Sequence, residues 1–569
     1  MIKGNGVSVG IGFGNIIILK SQKRKIEKII IEDSEAEMKR FKKALEDTTK
    51  ETEEIVNNTS GTEKEIMSAY LMIMQDPTLI QETEDIIINQ KYNVEYAVEE
   101  GFNNVIQIFE NIEDEYMAGR ARDIADIKDR ILARLFNEKI INISKLQPNT
   151  IIVATELTTS DTAKLDFKNV SGIITELGGS TSHTSIMART HAIPAITKVK
   201  NATTIFKNDD YVAINGQSGE IYLNPTNQEI EELKELENKL IKEKEELEKY
   251  KKELTQTSDG YVVELVANIG TPADVKIALQ NTAEGVGLFR SEFLYMDSDN
   301  MPTEEQQFLA YKEVAEKMGD RPVIIRTLDV GGDKDLKYLN LDKEDNPFLG
   351  YRAIRLCLDN ISLFKTQLKA ILRASNYGNL SIMFPMISSI EELRAAKRIL
   401  EECKKDLDDK NILYKKNIKV GIMIEIPSAA LIAYGLAKEC DFFSIGTNDL
   451  IQYTVAVERG NEKISNLYTK FHPAVIKLIK QAIDGAHDAG IFCGMCGEAA
   501  SDELFVPLLI GLGLDEFSMN ANNILKTRKR ISELERFDCK ELVKDILNMT
   551  SAEDVERKLK EFKNTSSSV

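Results

Sequence analysis

The run Gly178-Gly179-Ser180-Thr181-Ser182-His183-Thr184-Ser185 sets a histidine after a glycine turn and a hydroxyl cluster, where a helix is predicted to begin. A helix N-terminus offers backbone N–H groups and positive dipole character to a phosphate. A neutral imidazole held there is a nucleophile toward phosphorus. The other histidines, at 191, 472 and 487, have no such context. Most lone histidines are structural, so on these residues alone the phosphate reading and the structural reading both stay open.

A second set of polar residues falls at the ends of apolar runs farther along. Arg290 follows GVGLF, and Arg326 and Asp329 come with PVIIRTL. Glu425 ends VGIMIEIP, Asn448 and Asp449 follow FFSIGT, and Cys496 ends IFCGMC. Arg352 and Arg459 lie in following loops or helix starts. One arginine after a strand is usually a surface salt-bridge partner, but several at converging strand ends suit a small polyanion. The guanidinium fork binds phosphate and carboxylate bidentately. Two carboxylates beside such an anion would be repelled unless a cation intervened. Mg²⁺ fits, because it takes one or two carboxylates and completes its octahedron with substrate oxygens and water. The set therefore reads as a site for a phosphorylated carboxylic acid with Mg²⁺. The alternative is that Glu425 and Asp449 neutralise the arginines directly.

Cys493-Gly-Met-Cys496 is a CxxC, but a second CxxC and a thioredoxin-like context are both missing, so a zinc or redox reading is weak. A thiol with a reference pKa near 8.5 is protonated at neutral pH, so Cys496 at a strand end is a candidate proton donor.

The elements that must position these groups can be read from periodicity. From Tyr261 onward, eight apolar runs alternate with helical stretches: VVELVANI, GVGLF, PVIIRTL, LSIMFPM, VGIMIEIP, FFSIGT, IFCGMC and DEFSM. That alternation predicts a (β/α)₈ TIM barrel, whose active site lies at the C-terminal strand ends. From Thr150 to Pro225, short β-branched runs (TIIVA, SGIITEL, PAITKV, YVAINGQSGEIYL) and a helical stretch from Ser185 to Thr190 predict a compact α/β domain. The N-terminal GVSVGIGFGNIIIL can complete its sheet, making the segment between them an insertion. That segment, from about Ile26 to Leu146, is helical in period, clearly so over 63–78 and 116–136. Residues 226–256 read as one charged helix, with Leu233, Leu236, Leu240, Leu247, Tyr250 and Leu254 in near-heptad rhythm. It is either a linker helix lying against neighbouring domains or a coiled-coil dimer seam.

A chain of 569 residues exceeds one ordinary domain. Its formal charge of −19 repels nucleic acid and acidic membranes, so neither is an expected partner. No apolar run reaches the roughly 18 residues that span a bilayer, so no membrane insertion is expected. The apolar N-terminus reads as strand and turn rather than signal peptide. All six cysteines lie in the C-terminal half without a disulfide-like spacing, and a reduced, cytoplasmic protein is the simplest account.

These motifs match a known family. GGSTSHTSIMAR resembles the phosphohistidine signature of Enzyme I of the bacterial sugar phosphotransferase system and of its relatives, pyruvate phosphate dikinase and phosphoenolpyruvate (PEP) synthase. EGVGLFRSEFLYMD, IIRTLDVGGDK, NPFLGYRAIR, IMFPMI, GIMIEIPSAA, FFSIGTNDLIQYTVAVERGN and MCGEAASD are similar to its barrel motifs, and DEYMAGRARDIADIKDR to its helical domain. The relatives carry a large ATP-grasp domain before the phosphohistidine domain, whereas here about 145 helical residues precede it. The extra N-terminal sensor domain of the nitrogen-regulatory version is also not expected.

The resemblance implies a division into 1–23 and 146–225 as a swivelling phosphohistidine domain, 24–145 as an inserted helical bundle that binds the carrier protein HPr, 226–258 as linker, and 259–569 as the PEP-binding barrel. It implies that His183 takes the phosphate, with Thr162 as a hydrogen-bond partner. Arg290, Arg326, Asn448, Asp449 and Arg459 would bind PEP, with Arg352 in support. Glu425 and Asp449 would hold Mg²⁺, and Cys496 would protonate the departing enolpyruvate. Members dimerise through the barrel.

This chain departs from the pattern at Ser180, where arginine is common, at Ser501 for glycine, at Glu458 for aspartate, and at Tyr70 for a histidine on the carrier-facing helical domain. Competing readings are a dikinase-like or PEP-lyase barrel that uses no carrier, and a non-catalytic regulatory or scaffold protein. In the main reading His183 visits two places, the barrel mouth and the helical domain.

Overall fold

The computed structural model describes residues 2–19, 24–58, 62–110, 115–137, 146–157, 161–162, 165–179, 183–296, 300–331, 336–339, 341–342, 344–459, 461 and 463–566. The chain divides into two compact units, residues 1–244 and 245–569.

In the first unit one sheet is built from β1 (Ile2–Lys3), β2 (Asn5–Ser8), β3 (Ile11–Leu19), β4 (Thr150–Ala154), β5 (Val170–Thr175), β6 (Ala195–Thr197), β7 (Tyr211–Asn215) and β8 (Glu220–Leu223). Their order is β1-β8-β7-β3-β4-β5-β6-β2. The apolar, β-branched TIIVA of β4 is buried on both faces, as a central strand requires. β3 lies between β7 and β4, both of which come after the helical segment. The helices are therefore an insertion between strands of one sheet. YVAINGQSGEIYL forms the β7–β8 hairpin, closed by Asn215 accepting from the Gln217 and Ser218 amides.

The insertion holds helices Ser34–Asn58, Thr62–Met74, Pro77–Ile88, Val94–Glu110 and Glu115–Leu135 around Phe41, Tyr70, Phe102, Ile127 and Ile131. The periodic stretch 63–78 is not continuous. Asp76 caps a new helix by accepting from the Thr78 amide, and Pro77, lacking an N–H, takes its first turn. Tyr70, which stands where a histidine is common in the helical domain, is 1% exposed, with its hydroxyl against Asp123 and Asp126. It is a core residue.

The charged helix runs Asn227–Glu248, shorter than the period suggested, and a 3₁₀ turn, Lys249–Lys252, follows. Thr226 and Glu229 exchange capping hydrogen bonds at its start. Three of its leucines are used within the chain: Leu233, Leu236 and Leu240 pack on Ile11, Phe13, Ala213 and Tyr222 of the sheet.

In the second unit β9 (Glu264–Ile269), β10 (Val286–Arg290), β11 (Pro322–Arg326), β12 (Asn379–Phe384), β13 (Lys419–Ile424), β14 (Phe442–Ile445), β15 (Phe492–Met495) and β16 (Glu516–Asn520) close a parallel barrel in sequence order. Each lies in one of the eight apolar runs. Alternate residues explain their continuous apolar character. Leu288, Ile324, Met383, Met423 and Phe442 share one cluster with Cys496, whereas Phe289, Ile325 and Phe384 join the large core that includes the helices. Among the described residues no helix is long and apolar enough to cross a membrane.

Candidate active site

The barrel gathers its polar groups because neighbouring parallel strands end together. Arg290 and Arg326 are register partners at the ends of β10 and β11. Arg326 is nearly buried; its Nη2 donates to Glu292 Oε1 at 2.5 Å and its Nη1 lies 3.1 Å from Asp329 Oδ2. Burial alone would favour the neutral form, but Glu292, then Asp329 and Glu425, outweigh it and raise the guanidinium pKa. Asp329 Oδ1 also accepts from Arg352 Nη2 at 2.7 Å, and Arg352 Nη1 lies 3.8 Å from Asp449 Oδ1. Four charged groups from three segments are thus locked in sequence: Glu292, Arg326, Asp329 and Arg352. The arginines are neutralised, but chiefly by Glu292 and Asp329 rather than by Glu425 and Asp449. Arg290 makes no ion pair among the described residues.

Glu425 follows β13 and is 1% exposed. Its Oε1 accepts the Met386 amide at 2.6 Å, from a backbone held at φ 57. Gly446 passes so close that a Cβ there would meet Glu425 Oε2 at 2.8 Å. Burial pushes the carboxyl well above its usual range; Asp449 and Asp329 push the same way, and Arg326 and Arg352 pull against them. Asn448 and Asp449 stand in the first turn of the helix Thr447–Val455, and Tyr468 donates to the Asn448 carbonyl at 3.0 Å.

Cys496 ends its run inside the barrel, 4% exposed, among Leu288, Ile324, Met423 and Phe442. Burial pushes its thiol up to about 11, with Ser444 and Arg326 drawing it down, Glu425 raising it and Arg290 lowering it. A thiol in that range carries its proton at neutral pH. Met423, which packs with Cys496, also lies 3.8 Å from Arg326 Nη1, the register partner of Arg290, and so ties the thiol to the arginines at the strand ends. Cys493 lies instead in the core shared with the helices, and both are free thiols.

Arg459 is less committed. Its guanidinium is half exposed and meets Glu498 Oε1 at 2.6 Å, while its amide donates to Gln452. Sequence reasoning missed Glu292, named Asp329 without a role, and missed Tyr453, whose hydroxyl donates to the Phe348 carbonyl at 2.5 Å and accepts from Arg352 at 3.4 Å. An acid two residues past the strand-end Arg290 was the available signal for Glu292.

In the first unit His183 opens the helix His183–Thr190. Ser185 donates to the Gly179 carbonyl at 2.6 Å, tying that helix to the glycine turn. Thr184, Ser185 and Thr162 are buried. Ser180 and the His183 side chain, with its expected bond to Thr162, lie outside the described residues.

Comparison with known proteins covers nearly the whole chain. Models of PEP-utilising enzymes match as the N-terminal domain over residues 3–120, the mobile domain over 146–219 and the PEP-binding domain over 244–536. The phosphoenolpyruvate-protein phosphotransferase of Priestia megaterium is 46% identical over 558 residues, 97% of each chain. That of Bacillus subtilis (strain 168) is 46% identical over 564 residues, 98% of this chain and 99% of its own. The NMR solution structure of an Enzyme I protein is 34% identical, with a TM-score of 0.40, covering 42% of this chain and 99% of that one.

Proposed function

The chain belongs to the phosphoenolpyruvate-protein phosphotransferase family, and from that premise we propose that it moves the phosphoryl group of PEP to its own His183 and then to a histidine of the carrier protein HPr, releasing pyruvate. This is the first step of sugar uptake by the phosphotransferase system. The observation that carries the reading is the gathering of Arg290, Arg326, Asp329 and Arg352 at the strand ends of the barrel, above a lumen that buries Cys496.

The chemistry follows from those groups. Arg290, Arg326, Asn448 and Arg459 take the phosphate and carboxylate oxygens of PEP, with Arg352 in support. A His183 nitrogen attacks phosphorus; the P–N bond forms as the bond from phosphorus to the enol oxygen breaks. The electron pair leaves on the enolate of pyruvate, which takes the Cys496 S–H proton at carbon, and the thiolate that remains is reprotonated from water. His183 and the PEP residues belong to different units, so His183 must meet PEP at one stage and the carrier at another. Thr162 would hold the imidazole for both.

Glu425 and Asp449 fit a divalent cation. Burial first, and then repulsion from Asp449, raises the Glu425 pKa, and Oε1 of Glu425 has one amide donor among the described residues. Among the described residues no group of three or more His, Cys, Asp and Glu side chains is arranged to hold a metal ion, so substrate oxygens and water would complete the shell. Bound Mg²⁺ would neutralise charge on the PEP oxygens.

In the same reading residues 24–145 dock HPr, residues 1–23 and 146–225 carry the phosphohistidine, 226–258 link them to the barrel, and 259–569 bind PEP and join two copies in a homodimer. Six free cysteines support a cytoplasmic setting. The test is incubation with labelled PEP, Mg²⁺ and the host's HPr. Label should appear on this chain and then on HPr; label on neither protein would overturn the reading.

A further inference from the structure

Glu292 is the residue of the barrel mouth whose presence is hardest to reconcile with simple anion attraction. It opens the short helix Glu292–Met296 just past β10 and is 1% exposed. Its carboxylate reaches across to the next strand and takes Arg326 at 2.5 Å. A buried carboxylate on an arginine weakens that arginine's pull on a multiply charged anion. The same segment also fixes the Arg326 backbone: Ser291 Oγ donates to the Arg326 carbonyl at 2.7 Å, and Gln367 donates to Ser291 Oγ at 2.9 Å. With Asp329 on Nη1 and Glu292 on Nη2, the guanidinium is held from two sides, while its buried Nε has no hydrogen-bond partner among the described residues. Arg290, its register partner, makes no ion pair there and is left to supply net positive charge. The two arginines are thus built differently, one anchored and one uncommitted.

We propose that Glu292 is a positioning residue: it fixes the Arg326 guanidinium for the phosphoryl-transfer step at the expense of PEP affinity. This rests on the reading of the barrel mouth as the PEP site. A group held in place needs no reorganisation when charge moves in the transition state, whereas a mobile cation binds the ground state as well as it binds the transition state.

The test is Glu292→Gln in the full-length protein, which keeps the side chain's size and removes its charge. PEP-dependent pyruvate release, with the host's HPr in excess as the phosphoryl acceptor, gives kcat and KM. Calorimetry with PEP and Mg²⁺, on His183→Ala backgrounds with and without Glu292→Gln, gives the Kd without turnover. Glu292→Gln should lower kcat by roughly tenfold or more while KM and Kd fall by about threefold or more, a split that lost packing would not produce. Glu292→Asp, which keeps the charge but shortens the reach, should lower kcat without tightening PEP binding. It also provides a second reading if Glu292→Gln folds poorly. Unchanged kcat in both variants, or a KM and Kd that rise in Glu292→Gln, would overturn the proposal. Wild-type protein run in parallel separates the two levels: if it releases no pyruvate from PEP, the proposed function itself fails, and with active wild type only the role of Glu292 is in question.

Discussion

Cys493 lies within β15 and Cys496 directly follows its last residue, and the two serve opposite sides of the barrel wall. Cys493 packs in the core shared with the helices, and Cys496 lies in the lumen with Leu288, Ile324 and Met423. An odd spacing along an extended chain places side chains on opposite faces, which is why this CxxC is neither a zinc clip nor a redox pair.

The pair gives an internal control for proton donation. Cys496→Ala should slow pyruvate formation by about 10²- to 10⁴-fold, the usual contribution of a positioned acid. Cys493→Ala should leave turnover near wild type and lower thermal stability, because it removes only core volume. Pyruvate release and thermal melts on both variants decide this; equal, mild effects on turnover would make Cys496 a packing residue.

The carboxylate pair predicts a metal requirement that binding can report without turnover. Glu425→Ala or Asp449→Ala should abolish PEP-enhanced Mn²⁺ binding measured by water-proton relaxation, and should lower turnover sharply. Full wild-type activity in excess chelator would contradict the assignment.

Glu516, the first residue of β16, predicts how stability depends on pH. Its carboxyl faces Gly494, is fully buried, and leaves Oε1 without a partner among the described residues. Burial, with Glu264 and Asp515 adding to it, pushes its pKa up to about 8. The folded chain therefore holds this proton more tightly than the unfolded chain, whose carboxyl releases it near pH 4.5. Its stabilising effect is fully present below that value and is lost as pH rises to about 8, at up to about 1.4 kcal/mol per pH unit. Denaturant unfolding at pH 5.5 and 8.5 should show a drop in wild type that Glu516→Gln largely abolishes. The same drop in both proteins would place the effect elsewhere.

The barrel was legible in the sequence because strands buried on both faces are nearly continuous in apolar character, and most of the eight runs carry that mark; DEFSM, with Asp515, Glu516 and Ser518, carries it least. The inserted bundle was legible in period but not in its break, since Asp76-Pro77 sits inside an unbroken apolar rhythm and only capping chemistry reveals the new helix. The strand-end rule found Arg290, Arg326, Glu425, Asp449 and Cys496. It could not pair them, because Arg326 meets Glu292, in the short helix after the neighbouring strand and 34 residues away, and such a contact depends on barrel register rather than local spacing. Tyr70 stood out only as a departure from the family pattern; its burial against Asp123 and Asp126 is a tertiary fact that its own helix does not show.

The central claim is that His183 carries the phosphoryl group between PEP and the carrier. The direct measurement is the phosphoprotein formed from labelled PEP and Mg²⁺, compared between wild type and His183→Ala. Wild type should accumulate acid-labile, base-stable label that maps to the peptide containing His183 and discharges to HPr. His183→Ala should take up no label while still binding PEP in the barrel. Acid-labile label on the His183→Ala protein, at the wild-type level, would contradict the account.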